Sequence, residues 1–208
     1  MTVFDRHAQE YDRWFDEHER IYRAEVSAVR KFIPPAGIGV EVGVGMGRFS
    51  IPFGIKLGVE PSRRMAPFAH RRGISVCQAV GEWLPFRDGQ FDFVLEVTVI
   101  CFVADVSELL RETRRVLKAA GRLIIGFIDR ESALGQLYES RKETSQFYRQ
   151  ARFYTVAQVA DYTRRAGFNR LEYCQTVFGL PTNTSQVDPI RTGYGQGAFV
   201  VLSAEKSE

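Results

Sequence analysis

Apolar residues along this chain fall in short blocks separated by stretches of helical period. Strand-like runs lie near residues 38 to 43, 55 to 60, 74 to 79, 91 to 99, 121 to 128, 169 to 178 and 197 to 203, with helical segments between most of them. The alternation predicts an α/β fold, Rossmann-like and doubly wound, with a mostly parallel sheet. No helical segment separates the last two runs. Gly179-Leu180-Pro181 and Gly193-Tyr194-Gly195 punctuate that connection, which predicts an antiparallel C-terminal strand pair. Near the N-terminus, apolar positions from about 4 to 16 follow one face of an amphipathic helix.

At 208 residues and 45% hydrophobic content the chain can bury one substantial core, so a single domain over residues 1–208 is expected. A net charge of +3 is too small to argue for a polyanionic partner, and no nucleic acid is required. Arginines 63, 64, 71, 72, 114 and 115 come as pairs on helical segments, which reads as a solvated face. Cys77, Cys101 and Cys174 are widely spaced in apolar runs, the pattern of buried thiols in a reducing compartment and not of a metal site. The opening residues have no apolar core of a leader and no run nears the ~18 residues of a spanning helix, so a cytoplasmic protein without a membrane span is expected.

The chemistry concentrates in Val40-Glu41-Val42-Gly43-Val44-Gly45-Met46-Gly47, an apolar strand carrying a carboxylate and ending in three alternating glycines. Glycine is needed where the backbone takes positive φ or a ligand lies against bare peptide N–H groups. A second apolar run ends at Glu60, nineteen residues after Glu41, where a doubly wound nucleotide fold places its ribose-binding acid. Two vicinal hydroxyls need two acceptors, and one carboxylate supplies both. Pro61-Ser62 then opens a helix over 63 to 72, with Ser62 as cap and Gly73 as terminator. A dinucleotide fingerprint would require glycine at 48, where this chain has Arg48, so NAD and FAD are disfavoured.

The pattern Glu-x-Gly-x-Gly-x-Gly resembles the first motif of class I S-adenosylmethionine-dependent methyltransferases. Gly81-Glu82-Trp83-Leu84-Pro85-Phe86 with Phe91-Asp92-Phe93-Val94 resembles that family's adenine-side loop and fourth strand. Arg115-Val116-Leu117-Lys118 with Gly121-Arg122-Leu123-Ile124 resembles its helix-to-strand turn. The likeness is strong over residues 38 to 128 and is closest to small-molecule enzymes of the ubiquinone/menaquinone type. It implies S-adenosylmethionine as methyl donor, S-adenosylhomocysteine as product, and a cofactor set of Glu41, Gly43, Gly45, Gly47, Glu60, Pro61, Glu82, Trp83, Glu96 and Val97. It also implies an N-terminal helical cap over 1–36 and an acceptor-side insertion over 130–153. Two positions depart from the family. Pro52 and a gap of only seven residues between Gly47 and Ile55 leave room for little more than a turn or two of the first crossover helix, and Val80 stands where an adenine-binding Asp is common.

Methyl transfer from a sulfonium is an in-line displacement from an activated donor, so positioning and exclusion of water suffice and no nucleophile is needed. Where the acceptor needs a base, the candidates are Tyr11, His7, Asp129 and His18. His7 and Tyr11 read equally as one face of the amphipathic helix, Trp83 equally as a core or surface anchor, and Glu96 as an acid facing a solvent-filled cleft. Tyr138, Phe147, Tyr148 and Phe153 read as an acceptor pocket wall or as the buried stripe of one long helix. The expected protein is therefore a methyltransferase acting on a small molecule, monomeric or a weak homodimer. The alternatives are a non-catalytic S-adenosylmethionine-binding subunit with a regulatory or partner role, and a nicotinamide oxidoreductase, against which Arg48 argues.

Overall fold

The computed structural model describes residues 3–179 and 187–207; Leu180 and Pro181 of the expected punctuation lie outside them. Among the described residues, one sheet is built from β1 (Gly39–Val42), β2 (Leu57–Val59), β3 (Ser75–Cys77), β4 (Phe91–Val97), β5 (Leu117–Ile128), β6 (Phe168–Phe178), β7 (Arg191–Thr192) and β8 (Gly197–Lys206). Its order is β3-β2-β1-β4-β5-β8-β6-β7. The first five strands pair in parallel, while β8 inserts antiparallel between β5 and β6. The expected mixed sheet is thus present, with β8 and the short edge strand β7 reversed. The order turns back on itself between β1 and β4, and an open sheet of this type offers a crevice at the carboxyl ends of those strands.

Helices α5 (Val106–Val116) and α7 (Val156–Arg165) cover one face, where Val40, Val42, Val94, Leu123 and Ile125 meet Leu109, Leu110 and Val159. The other face carries Phe93, Leu95, Ile124 and Phe199 against α3 (Glu19–Arg30), through Ala28 and Val29, and α6 (Ala133–Ser140), through Leu134. Alternation along β4 assigns its side chains to the two faces, so Glu41 of β1 points away from Val40 and Val42 toward the second layer.

Several local expectations change. The helix expected over 4 to 16 is broken at His7 into α1 (Val3–Arg6) and α2 (Ala8–Glu17), and the chain turns again at His18 before α3. Both histidines leave helical φ/ψ, and at the second break the Trp14 carbonyl accepts both the backbone N–H and the imidazole of His18, each at 2.9 Å. Ser62 caps the chain after Glu60 as expected, its Oγ accepting the Met65 N–H at 3.2 Å, but residues 63–65 form a turn and the helix proper runs only from Ala66 (α4, Ala66–Arg71). The first crossover is a single 3-10 turn at Ile51–Phe53, as Pro52 dictates. Strand β5 is extended from Leu117 instead of 121, but its regular ladder on β4 runs only from Arg122, after a bulge over 118–121 in which Ala120 takes φ +55°. Three of the paired arginines are not solvated: Arg72 binds Asp12, Arg114 donates to the Gly167 and Ser207 carbonyls, and Arg115 binds Glu112, Asp88 and two backbone carbonyls.

Glu96 is wholly buried beneath α5 and does not face a solvent-filled cleft. Thr113 Oγ1 donates to its Oε1 at 2.7 Å, while Oε2 has no partner. Burial pushes this carboxyl up from 4.5 to about 7. A raised folded-state value means that folding binds a proton here, so the contribution is full below pH 4.5 and is lost as pH rises through about 7. That change amounts to about 3 kcal/mol. Urea unfolding of wild type and Glu96→Gln across this range should show the wild type losing about 3 kcal/mol relative to the variant by pH 8. Parallel pH profiles would show that Glu96 is not the titrating group.

Candidate functional site

The first loop leaves β1 through Gly43, Gly45 and Gly47, all at positive φ. A Cβ on Gly43 would lie 2.4 Å from Val99 Cγ2, and one on Gly47 2.3 Å from Ile74 Cδ1, so both positions are closed to side chains by space as well as by conformation. Gly45 has open space around it, yet its N–H is committed: it donates to Glu60 Oε2 at 2.9 Å. The Ser62 N–H donates to Glu60 Oε1 at 2.8 Å, so one carboxylate joins the loop after β1 to the loop after β2. The Gly47 N–H is likewise spent on the Val44 carbonyl at 2.8 Å. Two of the three glycine amides therefore hold the loop in shape.

These loops bound a cavity of about 370 Å³ at the carboxyl ends of β1, β2 and β4. Of the residues expected to bind cofactor, Glu41, Gly43, Gly45, Glu60, Pro61, Glu82 and Val97 line it. Gly47, Trp83 and Glu96 do not. The Trp83 N–H closes a turn on the Val80 carbonyl at 3.1 Å, which leaves Gly81 in the wall and the Trp83 ring 79% exposed. Glu82 lines the cavity, but its Oε1 accepts the Ala104 N–H at 2.7 Å and so ties the rim to the loop before α5.

Of the residues weighed as a base, only Tyr11 reaches the wall, which Thr98 also lines. Burial pushes the Tyr11 hydroxyl well above its ordinary value, so it stays protonated at neutral pH. His7 pairs with Glu10 at 3.1 Å outside the cavity. His18 stacks on Trp14, and Asp129 is buried with its Oδ1 accepting the Glu131 N–H at the turn before α6. The segment after α6 is not one long helix: α6 stops at Ser140, and the chain runs irregularly through a 3-10 turn to Phe153. Its aromatics nonetheless cluster. Tyr148 stacks on Phe102 and Tyr138, and Phe147 meets Tyr11 and Phe4, so they form a second shell around the wall residues Phe4, Tyr11 and Phe102.

Among the described residues, the cavity is lined by Glu41, Glu60 and Glu82 and by no cation free of an acidic partner. Glu41 is buried, its Oε2 accepting from Ser50 Oγ, and desolvation pushes it up to about 8. Desolvation also raises Glu60, to about 6, against the opposing hydrogen bonds from Ser62 and Gly45. Arg48 lines the wall, but its guanidinium binds Asp12 at 2.7 Å and Asp16 at 2.8 Å. Two buried acids beside backbone-lined space suit a ligand that brings its own positive charge and vicinal hydroxyls.

A second set of contacts, unmarked by any sequence motif, fixes the N-terminal helices over this space. Asp12 of α2 receives Arg48 Nε at 2.7 Å and both terminal nitrogens of Arg72, at 3.0 and 2.9 Å. Burial alone would raise Asp12, but the two guanidinium groups hold it below the usual carboxylate range. Arg72 also donates to the Met46 carbonyl, Tyr22 Oη to the Arg48 carbonyl, and Ser62 Oγ to Asp5 of α1. The helices are thus bonded to both cofactor-side loops. The contacts span 36 and 60 residues, which no local pattern reveals.

The Methyltransferase domain family matches residues 40–125. The chain is similar to a crystal structure from Thermotoga maritima described as a SAM-dependent methyltransferase, "possible histamine N-methyltransferase", at 48% identity and TM-score 0.96 over 99% of each chain. It is 47% identical to an uncharacterized protein of Methanocaldococcus jannaschii, over 99% of this chain and 100% of that one. A Mycobacterium tuberculosis protein, also uncharacterized, is 38% identical over 96% of this chain and 72% of its own length.

Replacing Asp12 with Ala strips three guanidinium nitrogens of their acceptor at a half-buried position. Urea unfolding should show a loss of about 2 kcal/mol. Limited trypsin digestion should cut at Arg6 and Arg13 sooner in the variant, whereas unchanged cleavage would show that the clamp does not hold the helices down.

Proposed function

The chain belongs to the class I S-adenosylmethionine-dependent methyltransferases, and on that premise we propose that it transfers the sulfonium methyl to a small-molecule acceptor by in-line displacement. S-adenosylmethionine is the donor; when bound it supplies a methyl group already activated on a sulfonium. The observation that carries the proposed placement is the pair of buried carboxylates, Glu41 and Glu60, with no free cation beside them. Each Glu60 oxygen already accepts one backbone N–H and keeps a lone pair for a ribose hydroxyl. Glu41 offsets the positive charge of the methionine end. Gly43 and Gly45 let that end lie against the backbone, Pro61 and Val97 flank it, and Ala79 to Glu82 form the adenine side of the wall.

The acceptor side is apolar. Phe4, Phe102 and Val103 close it, while Tyr11, Thr98 and Gln150 supply the polar groups. Tyr11 stays protonated and so orients the acceptor without removing its proton. Thr98 holds φ +55°, a strained conformation for a β-branched residue, kept in place by its N–H to the Gly126 carbonyl at 2.7 Å. Helices α1 and α2, clamped through Asp12, exclude water above the reacting atoms. That leaves proximity and desolvation as the sources of rate enhancement.

Glu41 offsets the positive charge only when ionised, so S-adenosylmethionine affinity should rise as pH passes through about 8, with protons released on binding at and below that pH. Calorimetry in two buffers of different ionisation enthalpy measures both. Binding with no proton release would remove Glu41 from the cation site. In the same experiment Glu60→Ala should weaken S-adenosylmethionine and S-adenosylhomocysteine alike by roughly 1.5 to 3 kcal/mol, because the ribose contacts are common to both. Equal affinity would place the ribose elsewhere.

A further inference from the structure

The cavity opens where its wall residues are exposed: Pro61 after β2, Val80 after β3, Ala104 before α5 and Gln150 in the segment after α6. Exposed arginines stand beside that mouth. Arg63 and Arg64 follow Pro61 and Ser62 and precede the wall residue Met65. Arg6 lies on α1, two residues after the wall residue Phe4, and its neighbour Asp5 accepts from Ser62 Oγ, which brings α1 against the same loop. On the acceptor side Arg149 and Arg152 flank Gln150, and the Arg152 N–H donates to the Cys101 carbonyl at 2.8 Å, next to the wall residue Phe102.

Arg6, Arg63, Arg64, Arg149 and Arg152 have no ion-pair partner and no side-chain hydrogen bond among the described residues; Arg152 alone rests on a ring, that of Tyr154, at 5.3 Å. The acids of the mouth are engaged elsewhere. Asp5 accepts from Ser62, Glu82 from the Ala104 N–H, and Asp105 from the Ser107 and Glu108 N–H groups as the cap of α5. The guanidinium groups therefore outnumber the carboxylates and reach solvent with no acid on them. Deeper in, the acceptor side carries no ion: Phe4, Phe102 and Val103 are apolar, and Tyr11, Thr98 and Gln150 are neutral. An ionised group taken to that depth would lose its hydration and find no partner, so the charge of the mouth bears on a part of the ligand that stays outside. It gives nothing to the donor, whose net charge is positive. A guanidinium presents paired N–H donors in one plane, a match to two oxygens of a carboxylate or a phosphate.

We propose that the methyl acceptor carries an anionic group, a carboxylate or a phosphate monoester, that docks at the cavity mouth on Arg149 and Arg152 while its uncharged body, with the nucleophile, reaches past Phe102 toward Tyr11 and Thr98. Arg6, Arg63 and Arg64 add to the attractive field across the opening. The proposal rests on the methyltransferase reading and gives its acceptor a chemical class. These arginines determine specificity and take no part in the chemistry, since none of them lines the cavity.

The test is calorimetric titration of the full chain, saturated with S-adenosylhomocysteine, with hydrocinnamate and phenyl phosphate as anionic probes, phenethyl alcohol as the neutral one and phenethylamine as the cationic one. The wild type should bind an anionic probe roughly tenfold more tightly than the alcohol, and the better of the two anions tells carboxylate from phosphate. That preference should shrink severalfold between low and physiological ionic strength. Replacing both Arg149→Gln and Arg152→Gln should abolish it and leave the affinities for the alcohol and for S-adenosylhomocysteine unchanged, a combination that a merely structural role would not produce. Arg63→Gln with Arg64→Gln should reduce it only severalfold. Equal affinity for anionic and neutral probes, binding of neither, tighter binding of the amine, or a preference that survives loss of Arg149 and Arg152 overturns the proposal. If the double variant does not fold, the wild type carries the test, and an anion preference indifferent to salt overturns it. Failure of the underlying reading is distinguishable, since it would appear as a wild type that does not bind S-adenosylhomocysteine at all.

Discussion

One carboxylate holds the centre of this molecule together. Glu60 accepts the Gly45 N–H with one oxygen and the Ser62 N–H with the other, so the loops leaving β1 and β2 are bonded through a single side chain. Charge-assisted bonds of this kind are about twice as strong as neutral ones, and both are sheltered from water. The glycine loop needs such a tie because the crossover behind it is only one 3-10 turn, too short to supply the helix N-terminus that would otherwise organise it. Ser62, fixed by this contact, then bonds Asp5 of the N-terminal cap. The donor-side loops and the cap over them are therefore one hydrogen-bonded unit.

The same carboxylates put the ligand-free protein under tension. Glu25, Glu41, Glu60 and Glu96 are all buried, desolvation raises all four, and all act in the same direction on stability as pH rises. Their placement differs in consequence. Glu96 lies under α5, away from the cavity, so no ligand in the cavity can relieve it. Glu41 and Glu60 line the cavity, so on the proposed placement a cationic ligand offsets the charge of Glu41 and stabilises the folded state by mass action. A buried acid so placed favours a sulfonium donor over a neutral nucleoside of the same shape.

How much of this could be read from the chain depended on whether the constraint was local. Gly43 and Gly47 were legible because a positive φ and a crowded Cβ both demand glycine, and Glu60 because the spacing from Glu41 follows the geometry of one βαβ unit. The strand blocks were legible for the same reason, as alternation and apolar runs are written in consecutive residues. Arg48 drew notice only as a residue that was not glycine, and Arg72 as half of a solvated pair; their common partner Asp12 is 36 and 60 residues distant. Trp83 was misleading for a related reason. Aromatic character marks affinity for a flat ligand, but the turn that decides whether the ring faces the cavity or the solvent is set by a backbone bond to Val80.

These elements divide the cavity by chemistry along the sheet. On the side of β1 and β2 the wall is backbone and carboxylate, rigidly tied, and suited to a ligand that does not vary. On the side of β4 and the segment after α6 it is aromatic, built from irregular chain between Ser140 and Phe153 and from a cap that is broken at two histidines. Irregular segments tolerate substitution better than strands do, because fewer backbone hydrogen bonds depend on them. Thr98, just past β4, stands where the two halves meet, its N–H held by the Gly126 carbonyl of β5. Its φ of +55° is strained for a β-branched residue and is fixed by the sheet, so the two halves of the cavity share one backbone requirement although they share no chemistry.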